Sequence, residues 1–156
     1  MSKKLIFILV ALAVVVLAGG YFAYQQIQIS QKQQAYQVSS DKIADEFVAA
    51  VVAHDIKKSM TNFSQSLTAN YSEAYWKTTI FEELKDYKGS PKLHAKGAVQ
   101  PASASVPNRY DPRLNQQATQ YEYDFSVNNT TYRLTFVVFR ENNEWKINEV
   151  SGGYLQ

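Results

Sequence analysis

The chain has 156 residues, with 16 Lys and Arg against 14 Asp and Glu, no Cys, and eleven Tyr, eight Phe and two Trp. Zero cysteine excludes disulfides, thiolate metal sites and lipoprotein acylation, and so many aromatics exclude a disordered tail for most of the length. Lys3 and Lys4 supply the whole positive excess, so the remainder is formally neutral, and the charge balance gives no case for a nucleic-acid partner or an electrostatic funnel.

The first element is Leu5 to Tyr24, LIFILVALAVVVLAGGYFAY, behind Lys3 and Lys4 and without a charge until Lys32. A helix of that length covers about 30 Å, one hydrocarbon core. Residues 1–24 are therefore expected to be a single-pass membrane anchor whose positive flank stays cytoplasmic, with the domain facing outward and residues 5–24 making the membrane contact. The alternative is a signal peptide with Leu5 to Val16 as its apolar region, cut near Ala18 of Val16-Leu17-Ala18, which releases a secreted domain. Residues 25–38 then form a Gln-rich stalk, QQIQISQKQQAYQV, which Gln content predicts to be partly helical.

Residues 39–156 form the extracytoplasmic α+β domain. Ser39-Ser40-Asp41 has the oxygen-bearing side chains of a helix start. Ile43, Ala44, Phe47, Val48, Val51 and Val52 follow as one apolar stripe, ending near His54. Asp55 caps a second helix carrying Ile56, Met60, Phe63 and Leu67, which frays over Ser64 to Tyr71. Ser72 starts a third, with Trp76, Ile80, Leu84 and Tyr87 as its apolar face. Gly89 is its C′ residue and Pro91 lies just beyond.

Strand character begins after Pro91. Lys92 to Gln100 is a weak first strand, interrupted by Gly97. Pro101 to Gln117 is a long loop with three prolines, of the kind that is functional or disordered. Tyr121, Tyr123, Phe125 and Val127 alternate with Glu122, Asp124 and Ser126, the pattern of a half-buried antiparallel strand. Asn128-Asn129 makes a tight turn into Tyr132 to Arg140. A second turn, Glu141 to Glu144, leads to Trp145 to Val150, and Ser151-Gly152-Gly153 ends it. The expected architecture is an N-terminal transmembrane helix, then three helices packed on a curved antiparallel sheet of three to four strands.

Two stretches resemble the nuclear transport factor 2-like, cone-shaped fold. One is Phe47-Val48-Ala49-Ala50-Val51-Val52-Ala53-His54-Asp55, similar to the family's opening helix and the acidic turn after it. The other is the hairpin Tyr132 to Val150, where Phe136-Val137-Val138-Phe139 and Trp145-Lys146-Ile147 are similar to its last two strands. The resemblance covers about Ser40 to Tyr154. It implies an α+β cone; many bacterial members are anchored or secreted without known catalysis, and enzymatic members use an Asp or His base with Tyr in the cone pocket. No such residue set matches here by motif, so no catalytic residue is carried over.

From the residues themselves, His94 opposite Asp124 or Glu122 would make an acid–base pair if the fold brings them together. Tyr121, Tyr123 and Phe125 have the chemistry of an apolar pocket wall or of a core face. Arg109, Tyr110 and Arg113, in the long loop, are residue types that grip partners. His54 suits a helix C-terminus. Two His without paired spacing give no zinc pattern, and no cofactor or metal is expected. Asn62, Asn70, Asn128 and Asn129 open glycosylation sequons, a pattern that arises by chance in so Asn- and Ser-rich a chain. Three functions are compatible: a non-catalytic domain binding a protein or a small apolar ligand, an isomerase- or hydratase-like enzyme using the cone, and an envelope or appendage subunit.

Overall fold

The computed structural model describes residues 3–97, 100–101 and 117–155, and among these the side chains of all but 3–13, 100–101 and 141. The chain divides into two compact units, Met1–Tyr36 and Gln37–Gln156. Helix α1 runs from Lys3 to Val52. In the first unit its described side chains are exposed almost throughout, Val14, Leu17, Tyr21, Phe22 and Ile27 among them.

Two expectations about this region are corrected. Among the described residues no helix is long and apolar enough to cross a membrane, so the transmembrane helix expected over Leu5 to Tyr24 is not upheld. The side chains of Lys3 and Lys4 lie outside the described ones. The second correction is continuity. Ser39-Ser40-Asp41 does not start a helix but lies inside α1. Gln-rich sequence propagates a helix well, and Ser40 is buried rather than capping.

In the second unit, α1 ends at Val52 and is closed by the turn through His54, whose φ is 54°. His54 N–H donates to the Val51 carbonyl at 3.0 Å and Asp55 N–H to Ala50 at 2.9 Å, the double closure of a Schellman end. The Asp55 carboxylate accepts from Lys58 N–H at 2.9 Å, capping α2 (Ile56–Met60). The expected second helix is in fact two. Ser64 breaks it and caps α3 (Gln65–Asn70), its hydroxyl accepting from Leu67 N–H at 3.1 Å.

Ser72 caps α4 (Glu73–Trp76), which passes into a π-helical turn over Lys77–Phe81, marked by Glu82 N–H donating to Lys77 at 2.9 Å. The third helix therefore does not persist to Gly89. The wide turn brings Ile80 and Phe81, adjacent in sequence, both into the core with Trp76 and Leu84; a regular helix turns neighbours about 100° apart.

The sheet has the order β1 (Lys92–Lys96), β3 (Gln117–Val127), β4 (Thr130–Glu141), β5 (Glu144–Tyr154), all antiparallel, with β2 (Gln100–Pro101) also pairing β3. The single weak strand expected from Lys92 to Gln100 is two: β1 (Lys92–Lys96) and β2 (Gln100–Pro101). Strands β3 (Gln117–Val127) and β4 (Thr130–Glu141) are joined by Asn128 and Asn129, both at positive φ. Strand β5 (Glu144–Tyr154) does not stop at Ser151 but runs through both glycines. Gly152 faces Tyr132, and a Cβ there would fall on the Tyr132 ring and hydroxyl, so glycine here permits close approach rather than ending a strand. The main core joins Phe47 and Val51 of α1, Phe63, Leu67, Trp76 and Leu84 of the helical segment, and Tyr121, Phe125, Leu134, Phe136 and Ile147 of the sheet. The domain is α+β.

Candidate functional site

Strand geometry alternates side chains between faces, and β3 uses this to build two unlike surfaces. Tyr121, Tyr123 and Phe125 point to the core and are buried. The Tyr121 ring stacks on Phe136 at 5.5 Å and the Tyr123 ring at 5.9 Å. Phe47 meets Phe136 edge-on at 4.9 Å. Among the described residues these three are packing side chains, with only the two hydroxyls reaching polar partners.

Those hydroxyls reach α1. Tyr121 Oη donates to Asp41 Oδ1 at 2.7 Å and touches the buried Ser40 hydroxyl. Gln37 Nε2 donates to the same oxygen at 3.0 Å. Lys96 Nζ, from β1, donates to Asp41 Oδ2 at 3.0 Å. One turn on, Tyr123 Oη donates to Asp45 Oδ1 at 3.3 Å. Burial pushes the Asp41 carboxyl up, but the hydrogen bonds from Tyr121, Gln37 and Lys96 outweigh it and hold it below its ordinary value. Burial drives the Tyr121 phenol far above its ordinary value, and burial with the nearby Asp45 charge pushes Tyr123 up to about 12. A carboxylate held ionised and saturated with donors, beside phenols held neutral, is a clamp between helix and sheet. It lacks the raised carboxyl or lowered phenol of proton-transfer chemistry.

The opposite face of β3 carries the expected acid–base pair. A register shift between Leu93 and Ala95 sets His94 off the regular β1–β3 pairing, and His94 Nδ1 lies 3.3 Å from Asp124 Oδ2. The two do meet, but on the face turned away from the core. Asp124 is also gripped by Arg133, Nε to Oδ1 at 2.8 Å and Nη2 to Oδ2 at 3.1 Å. Arg133 Nη1 lies 3.6 Å from Glu122. The Arg133 hydrogen bonds hold the Asp124 carboxyl below its ordinary value, which opposes a role as general base near neutrality.

A third feature was not read from the sequence. An open groove of about 410 Å³ runs along α1. Its floor is Val48, Ala49, Val52 and Ala53, and Gly89, Ser90 and Pro91 form the facing wall. Asp45 and Tyr123 close the N-terminal end. The wall lies where the chain bends at Gly89. A signal for the clamp was present in the spacing. Asp41 and Asp45 are about 6 Å apart along a helix, and Tyr121 and Tyr123 about 6.7 Å along a strand, so the two pairs match one to one.

Arg109, Tyr110 and Arg113 lie outside the described residues. Among the described residues no group of three His, Cys, Asp or Glu is placed to hold a metal ion. The chain matches no family model and no curated protein.

Proposed function

We propose that this chain is a non-catalytic polypeptide-binding domain of the nuclear transport factor 2-like type, and that the groove along α1 is its binding surface. The observation that carries the reading is the groove itself: an apolar floor on one helix face, an opposing wall, and a charged group, Asp45, at one end. Its openness suits a chain segment laid along the helix better than an enclosed small molecule, since small-ligand sites bury most of their ligand. Ring packing among the described residues supports binding over a cone-pocket enzyme. Phe47, Tyr121 and Phe136 occupy the space between helix and sheet, and the Asp41 carboxyl beside them is held below its ordinary value rather than raised.

The location that goes with this reading is outside the cytoplasm after cleavage near Ala18. Lys3-Lys4, the apolar run behind it and the Val16-Leu17-Ala18 junction support it.

The test is selection of a random peptide library on the chain, followed by binding to the Ala49→Trp variant. Ala49 is exposed on the groove floor, so an indole there plugs the groove without disturbing the core. Selected peptides should bind the wild type saturably and lose at least tenfold in affinity to the variant, whose far-ultraviolet circular dichroism is unchanged. Equal binding to both proteins, or no selected peptide, sinks the reading.

A further inference from the structure

We infer that the groove selects a segment presenting a lysine or arginine followed by small or branched apolar side chains, with Asp45 as the receptor for the cation. The inference rests on the binding reading above and adds the chemistry of the occupant. Charge assignment around α1 carries it. Three carboxylates lie on the first turns of this stretch: Asp41, Asp45 and Glu46. Lys96 is committed to Asp41 at 3.0 Å, where Gln37 and Tyr121 also donate. Lys42 lies 3.9 Å from Glu46, which also accepts from Asn62 at 3.0 Å. Asp45 alone has no cation within ion-pair distance among the described residues.

Its one hydrogen bond is from Tyr123 Oη at 3.3 Å, a long contact to a single oxygen. The other oxygen has acceptor capacity to spare. The Asp45 side chain is exposed, so a partner can reach it.

Position decides what kind of cation fits. Asp45 begins the groove, and Val48, Ala49, Val52 and Ala53 continue it on the same helix face over about two turns, roughly 12 Å. A compact ion would use the carboxylate and leave the floor bare. Lysine and arginine carry aliphatic stems that lie along apolar surface while the head reaches a charge. With the head on Asp45, the stem and following residues cover the floor, and Ser90 offers a hydroxyl on the wall. An acidic segment would meet Asp45, the one charged residue of the groove among those described, and like charges facing each other there select against it.

The experiment is a titration of the isotope-labelled full chain followed by amide chemical shifts. Two pentapeptides serve as probes, Ala-Leu-Lys-Leu-Ala and Ala-Leu-Glu-Leu-Ala, both blocked at their ends. The expected result is that the lysine peptide shifts the amides of Asp45, Ala49, Ala53 and Ser90. The glutamate peptide should bind roughly tenfold or more weakly, a difference of about 1.4 kcal/mol. Asp45→Asn should abolish that preference while leaving the shifts on the floor in place. Equal binding of both peptides at the groove overturns the cation assignment and leaves the groove reading standing. Shifts confined to residues away from the groove, or no shifts, overturn both. A preference that persists in Asp45→Asn places the cation elsewhere and also overturns the assignment.

Discussion

The two faces of β3 use similar residues to opposite ends. On the inner face, Tyr121 and Tyr123 send hydroxyls to Asp41 and Asp45, which are 80 and 78 residues away in sequence. On the outer face, Asp124 meets Arg133, nine residues away across a hairpin. The inner contacts tie α1 to the sheet; the outer ones join strands that backbone hydrogen bonds already hold. Burial separates them further: the Tyr121 and Ser40 side chains are fully buried, and a buried polar group without its partner costs its full desolvation, whereas Asp124 and Arg133 are only partly buried and can be rehydrated. The inner face should therefore dominate stability, and the outer face should be open to change.

The strongest way to break this contrast is to remove the ring on which the inner face is built. Phe136 is fully buried and touches Tyr121, Tyr123 and Phe47. Phe136→Ala should cost about 3–5 kcal/mol, the transfer term plus the cavity left between helix and sheet. Urea unfolding followed by tyrosine fluorescence measures it. A loss under about 1 kcal/mol would mean that helix and sheet are not joined through this ring.

Next in size is Gly152→Ala. The added methyl would fall on the Tyr132 ring, and Tyr132 is buried with its hydroxyl 3.4 Å from the Thr79 carbonyl of the π-helical turn. Because backbone meets a packed ring, the neighbour has little room to give. The expected loss is about 1–3 kcal/mol in thermal or chemical unfolding. Restoring space with Tyr132→Phe as a second change should recover part of it, since the hydroxyl is among the atoms struck.

These positions also show what the sequence made legible. The hairpin β3–β4 was readable because period-two alternation and Asn-Asn give local signals, and both asparagines do adopt positive φ. Asp55 and Ser72 announced themselves as caps for the same reason. Gly152 was misread because a glycine that ends a strand and one that admits a ring look identical until Tyr132 is known to sit opposite. Ser39-Ser40 was misread as a cap because nothing local says that Ser40 meets Tyr121. The groove was invisible because its wall and floor come from segments about forty residues apart.

Tyr121→Phe tests the clamp alone. It keeps the ring stack and removes one hydroxyl, leaving the buried Ser40 and Asp41 each without that partner, at a cost of about 1–2 kcal/mol near neutral pH. The pH dependence gives the sign. The Asp41 carboxyl lies below its ordinary value of 3.8 in the folded protein, so its contribution is full above that pH. It is lost as pH falls through the lower folded value. Tyr121→Phe removes one of the donors that lowers it. The stability gap between wild type and variant should therefore be widest at pH 6–7 and narrow toward pH 2–3. A gap constant across that range would show that the hydroxyl acts without the Asp41 charge.

The smallest effect belongs to the outer face, and it decides whether the contrast is one of kind or of degree. Asp124→Asn keeps the shape but gives up the charge that Arg133 grips and that His94 faces at 3.3 Å. The β3–β4 ladder runs past this pair without interruption, from Ala118–Phe139 to Val127–Thr130, so backbone pairing does not depend on it. Stability at pH 7 should fall by less than in Tyr121→Phe, and 0.5 M salt should reduce the difference further, because the pair is partly open to solvent and so partly screened. The folded-state carboxyl of Asp124 is lowered by Arg133, so whatever it contributes also fades as pH falls below the ordinary carboxylate value. If Asp124→Asn instead costs as much as Tyr121→Phe and resists salt, the outer cluster is desolvated in solution. Some surface must then cover it, and the face away from α1 becomes a second place to look for a partner.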